Sequence, residues 1–138
     1  MTQKTHRSTA ETVQEFFRRF AEGDLAGLPE LCAENVDLVV AGAPTVPWTG
    51  HLVGRQKVEG YFAKFVGAVQ TERFDVERIA VDGEDAIVLG EFTHKVIATG
   101  RLCSGPFAIR ITVRDGVIER YQTFEDSYAV AAAFSSGA

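Results

Sequence analysis

The feature that most constrains this chain is the segment from Ala86 to Asp126, in which apolar and polar residues alternate. Two turn signals interrupt the segment, Thr99-Gly100 and Asp115-Gly116. Alternation with a period of two is typical of strands that bury one face, and short interruptions containing glycine are typical of hairpins. The segment therefore predicts three consecutive antiparallel strands, whose apolar face needs a second layer to cover it.

The helices predicted before this segment supply that layer. A capping box at residues 8–11 opens a first helix. A short second helix is expected at residues 25–32, distorted by Pro29, which has no amide hydrogen to donate. The strongest helical pattern runs from Arg55 to about Val69. Helices followed by a curved mixed or antiparallel sheet predict the α+β fold class.

Shorter patterns complete the expected order of elements. Strands are predicted at residues 36–41 and 74–81, and a last helical turn at residues 128–134. Residues 42–51 contain two prolines and two glycines, which predicts an irregular loop that carries Trp48. The length of 138 residues fits a single domain over residues 1–138, with flexible tails at 1–7 and 135–138.

Charge and cysteine content exclude several classes of function. The net charge is −5 and no Lys/Arg cluster occurs, which argues against a nucleic-acid or anionic-membrane partner. No apolar run has the length of a membrane span. Cys32 and Cys103 are too few for a disulfide framework or a zinc site, so a cytoplasmic location is expected. Without a metal-binding pattern or a phosphate-binding loop, we expect no metal and no cofactor.

The element order and three segments resemble SnoaL-like and ketosteroid isomerase-like proteins of the nuclear transport factor 2-like superfamily. The segments are FFRRFAEGDLAGLPELCAENVDLV at 16–39, PWTGHLVGRQKVEGYF at 47–62 and ATGRLCSGPFAIRITVRDGVIERYQTFEDS at 98–127. The resemblance implies a cone-shaped sheet wrapped around the helices, one pocket between the two layers, and a homodimer formed through the convex sheet face. It does not imply one reaction, because this fold serves isomerases, cyclases, hydrolases and binders.

The catalytic positions of two related enzymes carry residues that cannot do the same chemistry. The base of ketosteroid isomerase aligns with Val40, its phenol with Phe16, and its acid falls near Ile109. These apolar side chains neither accept a proton nor donate a hydrogen bond. The positions that hold and activate water in limonene epoxide hydrolase also carry unsuitable residues, namely Leu38, Val40, Gly90, Phe92 and Thr123.

The facing of the last strands decides which side chains reach the pocket. A tight turn at Gly100-Arg101 is expected to pair Phe92 with Ile109 and His94 with Phe107. At Asp115-Gly116, a bulged turn sends Tyr121 and Glu125 inward, whereas a plain two-residue turn sends Arg120, Gln122 and Phe124 inward. The resemblance favours the bulged turn. The predicted pocket is then lined by Phe16, Phe20, Leu38, Val40, Trp48, Tyr61, Phe65, Phe92, His94, Phe107, Ile109, Tyr121, Thr123 and Glu125.

Three polar members of this set are the candidate catalytic residues. His94 could act as acid or base because imidazole titrates near neutral pH, or it could be held in the sheet by a hydrogen bond. Glu125 could be a general acid or base, or a carboxylate at the end of the sheet that pairs with Arg120 or water. Tyr121 could donate a hydrogen bond to a ligand carbonyl, or pack in the core. Trp48 is predicted to cover the pocket, and Asp126 to cap the last helix.

Two functions remain open for a small apolar or aromatic organic ligand. The first is a cofactor-independent isomerase, cyclase or lyase in which His94 or Glu125 moves a proton. The second is a non-catalytic binder that has lost the catalytic residues of its relatives. The surviving His and Glu favour an enzyme, whereas the apolar residues at the classical catalytic positions favour a binder.

Overall fold

The computed structural model describes residues 7–42, 45–47 and 49–135. Within these ranges, 3₁₀ turns at Pro29–Leu31 and Arg55–Lys57 precede a strand and a helix. No described helix is both long and apolar enough to cross a bilayer. The α-helices and strands of the described chain are α1 Thr9–Ala21, β1 Cys32–Val40, β2 Gly50–Val53, α2 Val58–Ala68, β3 Val69–Asp82, β4 Asp85–Val96, β5 Leu102–Arg114, β6 Val117–Glu125 and α3 Ser127–Phe134.

The strands form one open mixed sheet in the order β2-β1-β6-β5-β4-β3. The β1–β6 pair is parallel and every other neighbouring pair is antiparallel. Side chains along β4 alternate between buried and more exposed, and α1 packs against β3, β4 and β5. The sheet therefore has an inner face covered by helices and an outer face, which confirms the predicted α+β fold class.

The connection between β5 and β6 combines the two alternatives, because the turn itself has two residues and the bulge lies in the strands beyond it. Asp115 and Gly116 have φ angles of 53° and 78°, both in the left-handed region, as a two-residue hairpin turn of type I′ requires. The register then shifts between Thr112 and Val113. Ile109 consequently lies opposite Thr123, as predicted for the bulged turn.

The predicted register between β4 and β5 is wrong by four residues. Phe92 lies opposite Gly105 rather than Ile109, and His94 lies opposite Cys103 rather than Phe107. The hairpin closes earlier because Gly100, with φ 72°, donates its N–H to the Val96 carbonyl at 2.7 Å. An even shift keeps each side chain on its predicted face, so the inner-face assignments are unaffected.

The N-terminal half differs from expectation in two places. The predicted second helix is a turn followed by the 3₁₀ turn, and β1 already begins at Cys32. Asp24 caps this turn by accepting a 3.0 Å hydrogen bond from the Gly27 N–H, and Pro29 starts the 3₁₀ segment instead of distorting an α-helix. In addition, the last two residues of the predicted loop, 50–51, form β2 together with residues 52–53, an edge strand held by backbone pairing with β1.

Both predicted helix caps are present at the ends of the described chain. The Ser8 side chain accepts from the Glu11 N–H while the Glu11 carboxylate accepts from the Ser8 N–H, which completes the capping box of α1. Asp126 accepts a 2.9 Å hydrogen bond from the Ala129 N–H and caps α3. The structural role predicted for Asp126 is therefore confirmed.

Candidate functional site

A chamber with a free volume of about 50 Å³ lies between the inner face of the sheet and the helices. Ten of its twelve lining residues belong to the predicted pocket, and Phe62 and Phe74 complete it. Most of the lining is aromatic, and the polar groups come from α2, β4 and β6. The lining residues are Phe20, Tyr61, Phe62, Phe65, Phe74, Phe92, His94, Phe107, Ile109, Tyr121, Thr123 and Glu125.

His94 is held rigidly against the chamber by its neighbours. The side chain is 3% exposed, its ring stacks on Phe92 with centroids 4.7 Å apart, and Phe65 meets it edge-on at 5.1 Å. Burial lowers the pKa of His94 to about 4, because the charged imidazolium loses its hydration. The imidazole is therefore neutral at physiological pH and is a weak proton acceptor.

Thr71 on β3 makes a hydrogen bond with one ring nitrogen of His94 and leaves the other nitrogen for a ligand. Thr71 Oγ1 lies 3.1 Å from His94 Nδ1. If the hydroxyl donates, Nδ1 is the acceptor and Nε2 carries the proton; if Nδ1–H donates, Nε2 is left as an acceptor. In both tautomers the neutral ring keeps Nε2 available for one hydrogen bond.

Two phenols share the chamber with His94. Tyr61 and Tyr121 are each 6% exposed, and burial raises the pKa of both hydroxyls, with the negative charge of Glu125 raising them further. Both phenols therefore stay protonated at any physiological pH. A protonated phenol that faces an apolar chamber is a hydrogen-bond donor suited to a carbonyl oxygen.

Glu125 is the last residue of β6 and is half-buried opposite Phe107. Glu125 lines the same chamber as Tyr61 and Tyr121, and its negative charge raises the pKa of both phenols and of the Cys103 thiol. Arg120, considered as a partner for Glu125, instead donates to Gln122 Oε1 at 3.2 Å. Glu125 is the only acidic residue that lines the chamber in the described part of the chain.

His94 and Glu125 do not form a dyad. Among the described residues no hydrogen bond or ion pair joins them, and burial alone accounts for the shifted pKa of His94. The two side chains therefore line one chamber as separate polar groups, and a ligand between them would contact each independently.

Several predicted pocket residues lie elsewhere. Phe16, Leu38 and Val40 are almost completely buried in the core and do not line the chamber. Phe16 supports the site indirectly, because its ring packs on Tyr121 at 5.3 Å and on Phe62 at 5.6 Å. Trp48 lies outside the described residues.

Phe62 and Phe74 were not predicted as lining residues. Phe62 belongs to the apolar stripe of α2, next to Tyr61, so helical periodicity could have identified it. Phe74 stacks on Phe107 with centroids 4.7 Å apart. Its inward facing could not be inferred from alternation, because the pairing of β3 with β4 is irregular on both sides of it, between Thr71 and Arg73 and between Val76 and Arg78.

Comparison with protein-family models gives one match. The model described as "SnoaL-like domain" matches residues 13–121, which cover most of the chain and most of the chamber lining. No curated protein sequence matches the chain.

Solved structures with the same architecture share little sequence with this chain. A nuclear transport factor 2-like protein from Burkholderia xenovorans superposes with a TM-score of 0.86 at 23% identity, covering 95% of this chain and 100% of that one. A protein of Bacillus subtilis provisionally named an isomerase gives 0.77 at 23%, covering 94% of each chain. A provisional SnoaL-like polyketide cyclase from Mesorhizobium loti gives 0.71 at 20%, covering 86% and 99%. At these identities the likeness establishes the fold alone.

Proposed function

The chain belongs to the SnoaL-like domain family, and from that membership we propose that it is a cofactor-independent enzyme acting on an apolar or aromatic carbonyl compound. The proposed step is removal of a proton from the carbon next to the carbonyl group, with which isomerase, cyclase and lyase reactions can begin. The observation that carries the proposal is a carboxylate and two protonated phenols in one aromatic chamber.

Each polar group has a separate role in this step. Glu125 accepts the proton, the C–H electron pair forms a carbon–carbon double bond, and the carbonyl electrons move to oxygen. Tyr121 donates its O–H to that oxygen, where negative charge develops, and Tyr61 supports it. His94 is not assigned as the base, because Thr71 engages its Nδ1 and the rings of Phe92 and Phe65 enclose it. Its neutral ring instead offers a hydrogen bond to the ligand.

Hydrogen–deuterium exchange tests this step without knowledge of the natural substrate. The probe is 2-tetralone, an aromatic ketone whose α-hydrogens are exchanged in D₂O and followed by proton NMR. Glu125→Gln should slow the protein-catalysed exchange about 100-fold or more. Tyr121→Phe should slow it about tenfold or more, because a donor to the oxyanion is lost.

The control substitution is Glu59→Gln, at an exposed position of α2 outside the chamber lining, which should leave the exchange rate unchanged. A Glu125→Gln variant that retains the wild-type rate contradicts the role of Glu125. If His94→Asn abolishes exchange instead, the base is His94.

A non-catalytic binder is the second candidate function. It is favoured by the Thr71–His94 hydrogen bond and the low pKa of His94, which reduce the capacity of the chamber for proton transfer. A binder should show 2-tetralone in contact with the chamber by saturation-transfer NMR, with no exchange above the rate in buffer.

We also propose that the protein is a homodimer that associates through the outer, convex face of the sheet. Leu89, Ala108 and Phe124 form one row across β4, β5 and β6 on this face. Leu89 is 42% and Phe124 is 50% exposed. A contiguous row of exposed apolar side chains on a sheet is typical of an interface between subunits. The two cysteines are buried and free, which suits a reducing compartment such as the cytoplasm.

A further inference from the structure

A second cavity, which we call the outer groove, lies beside the chamber between α1, α2 and β3. Its free volume is about 680 Å³. Phe20, Phe65 and Phe74 line both the outer groove and the chamber. These three residues, the ring wall, therefore form the boundary that the two cavities share.

The ring wall can open at Phe20. Its side chains come from three different elements, and all three are half-buried. Phe20 lies 6.3 Å from Phe65 and 5.9 Å from Phe74 between ring centroids, and its ring is inclined to both. Phe74 also stacks on Phe107, and Phe65 packs edge-on against His94, so these two rings stay in place. Rotating Phe20 sacrifices inclined ring contacts but no hydrogen bond.

The outer groove is large enough for an organic ligand, whereas the chamber is not. A free volume of about 50 Å³ holds only a few water molecules, so the chamber cannot enclose a polycyclic or aromatic ligand. The outer groove, at about 680 Å³, lies within the range of sites for organic ligands, roughly 300–1,000 Å³. A polycyclic or aromatic ligand therefore fits only if its body lies in the outer groove.

The charges of the linings restrict the chemical class of the ligand. Among the described residues, none that lines the outer groove is charged; its apolar surface includes Leu25, Val66 and Val69. The described lining of the chamber contains no Lys or Arg, His94 is neutral, and Glu125 is acidic. A carboxylate or phosphate on the ligand would be repelled there, whereas a carbonyl or hydroxyl oxygen would find phenol donors.

We propose that the ligand is a neutral, elongated apolar molecule whose body lies in the outer groove and whose oxygenated end passes through the ring wall into the chamber. The inference rests on the proposed function, which supplies the carbonyl end. It adds the outer groove as a binding subsite and excludes ligands with an anionic head.

A fluorescent ketone tests both halves of this site. The probe is 6-propionyl-2-dimethylaminonaphthalene, a neutral naphthalene with a ketone at one end and emission that depends on its surroundings. Val66→Arg places bulk and charge in the outer groove, at a position that does not line the chamber, and should weaken binding about tenfold or more. Tyr121→Phe removes a chamber donor and should weaken binding about fivefold and shift the emission to shorter wavelength.

Val81→Arg is the matched control. Val81 is 46% exposed, close to the 50% of Val66, and lines neither cavity, so its substitution should leave the affinity unchanged. Thermal melting of each variant establishes that it is folded. The anionic probe 1-anilinonaphthalene-8-sulfonate should bind the wild-type protein more weakly than the ketone; equal or tighter binding overturns the assignment of a neutral ligand.

The remaining outcomes separate this inference from the proposed function. If Tyr121→Phe weakens binding and Val66→Arg does not, the ketone reaches the chamber without the outer groove, and only the groove subsite is overturned. If Val66→Arg alone weakens binding, the probe stays in the groove and the two-part site is overturned. If the wild-type protein does not bind the ketone but exchanges 2-tetralone, the elongated two-part ligand is overturned and the proposed function stands; if it does neither, both are overturned.

Discussion

His94 shows how one buried side chain couples the site to the stability of the fold. Its ring is enclosed by Phe92 and Phe65, and burial lowers its pKa from 6.5 to about 4. Below pH 6.5 the unfolded chain binds a proton at this residue that the folded chain does not. The free energy of unfolding therefore falls as the pH falls through 6.5 and continues to fall until about pH 4.

Urea unfolding at pH 8 and pH 5 measures this effect. Lowering the pH from 8 to 5 should reduce the free energy of unfolding of the wild-type protein by about 2 kcal/mol through His94. The His94→Gln variant should lose this contribution. Hydrogen bonds from Arg18 and Thr112 lower the pKa values of Glu15 and Asp85 respectively. Protonation of these carboxylates therefore lowers the free energy of unfolding only below about pH 4.5. These carboxylates therefore do not contribute over the chosen interval, and the difference between the wild-type protein and His94→Gln reports on His94 rather than on the other two histidines. Equal pH dependence in the two proteins would show that His94 is not desolvated.

At the scale of elements, the pairing of β3, β4 and β5 depends on Gly90, because glycine has no Cβ. A Cβ at this position would overlap the backbone carbonyl oxygen of Asp75 and lie 2.5 Å from Phe107 Cζ. The ring of Phe107 occupies this space and stacks on Phe74 in the chamber wall. Since backbone and a stacked ring cannot both move aside, the glycine is needed for packing rather than for its φ angle.

Substitution of two glycines by alanine tests this argument. Gly90→Ala should lower the free energy of unfolding by about 2 kcal/mol or more, because it overpacks a closed site. Gly60→Ala is the control: it lies inside α2 with nothing within 4 Å of the new Cβ, and should raise stability by about 0.5–1 kcal/mol. Chemical denaturation followed by circular dichroism measures both. A Gly90→Ala variant as stable as the wild type would mean that β3 adjusts to the new methyl group.

The hairpins also show what local sequence can specify. Asp115-Gly116 encodes a left-handed two-residue turn, and the expected bulge places Tyr121 and Glu125 in the chamber. The turn at Gly100 was placed too late, because several positions near Thr99 can close a hairpin and only the backbone hydrogen bonds of the strands choose among them. Even so, the period of two kept His94 and Phe92 on the inner face.

At the scale of the whole molecule, the outer face of the sheet is the feature that bears on assembly. The row Leu89–Ala108–Phe124 should be buried in the proposed homodimer. Phe124→Arg should raise the dissociation constant of the dimer about thirtyfold or more, since large apolar side chains at the centre of an interface dominate its affinity. Light scattering after size-exclusion chromatography, over a range of protein concentrations, measures the change.

The control for this experiment is Tyr128→Arg on α3. Tyr128 is 84% exposed and lies outside the sheet, so its substitution should leave the mass unchanged. A wild-type protein with the mass of one chain at every concentration would contradict the homodimer. A Phe124→Arg protein that remains dimeric would show that the interface lies on another surface.

Local periodicity was sufficient for the fold class, for α1 and the core of α2, and for the three strands of the meander. Most of the chamber lining followed once the family resemblance had chosen the bulged alternative for β5–β6. These features depend on contacts between neighbours in sequence, such as the Ser8–Glu11 capping box, and on the requirement that apolar faces be buried. The edge strand β2 and the loss of the expected helix before β1 depend instead on pairing with a distant segment. Likewise, a bulge can reverse which face of the sheet a strand's side chains point to, without a signal in the sequence. For this reason the sequence did not predict Phe74 as a lining residue.

The same distinction holds for the chemistry of the site. Alternation places Tyr121 and Glu125 on one face of β6, and the family resemblance, rather than the order of residues alone, predicted that this is the face shared with His94. The hydrogen bond between Thr71 and His94 and the ring wall shared by the chamber and the outer groove follow only from the packing of α1, α2 and β3. Distances between side chains on different elements depend on how the layers pack, and burial, which sets the pKa of His94, is a property of the assembled core.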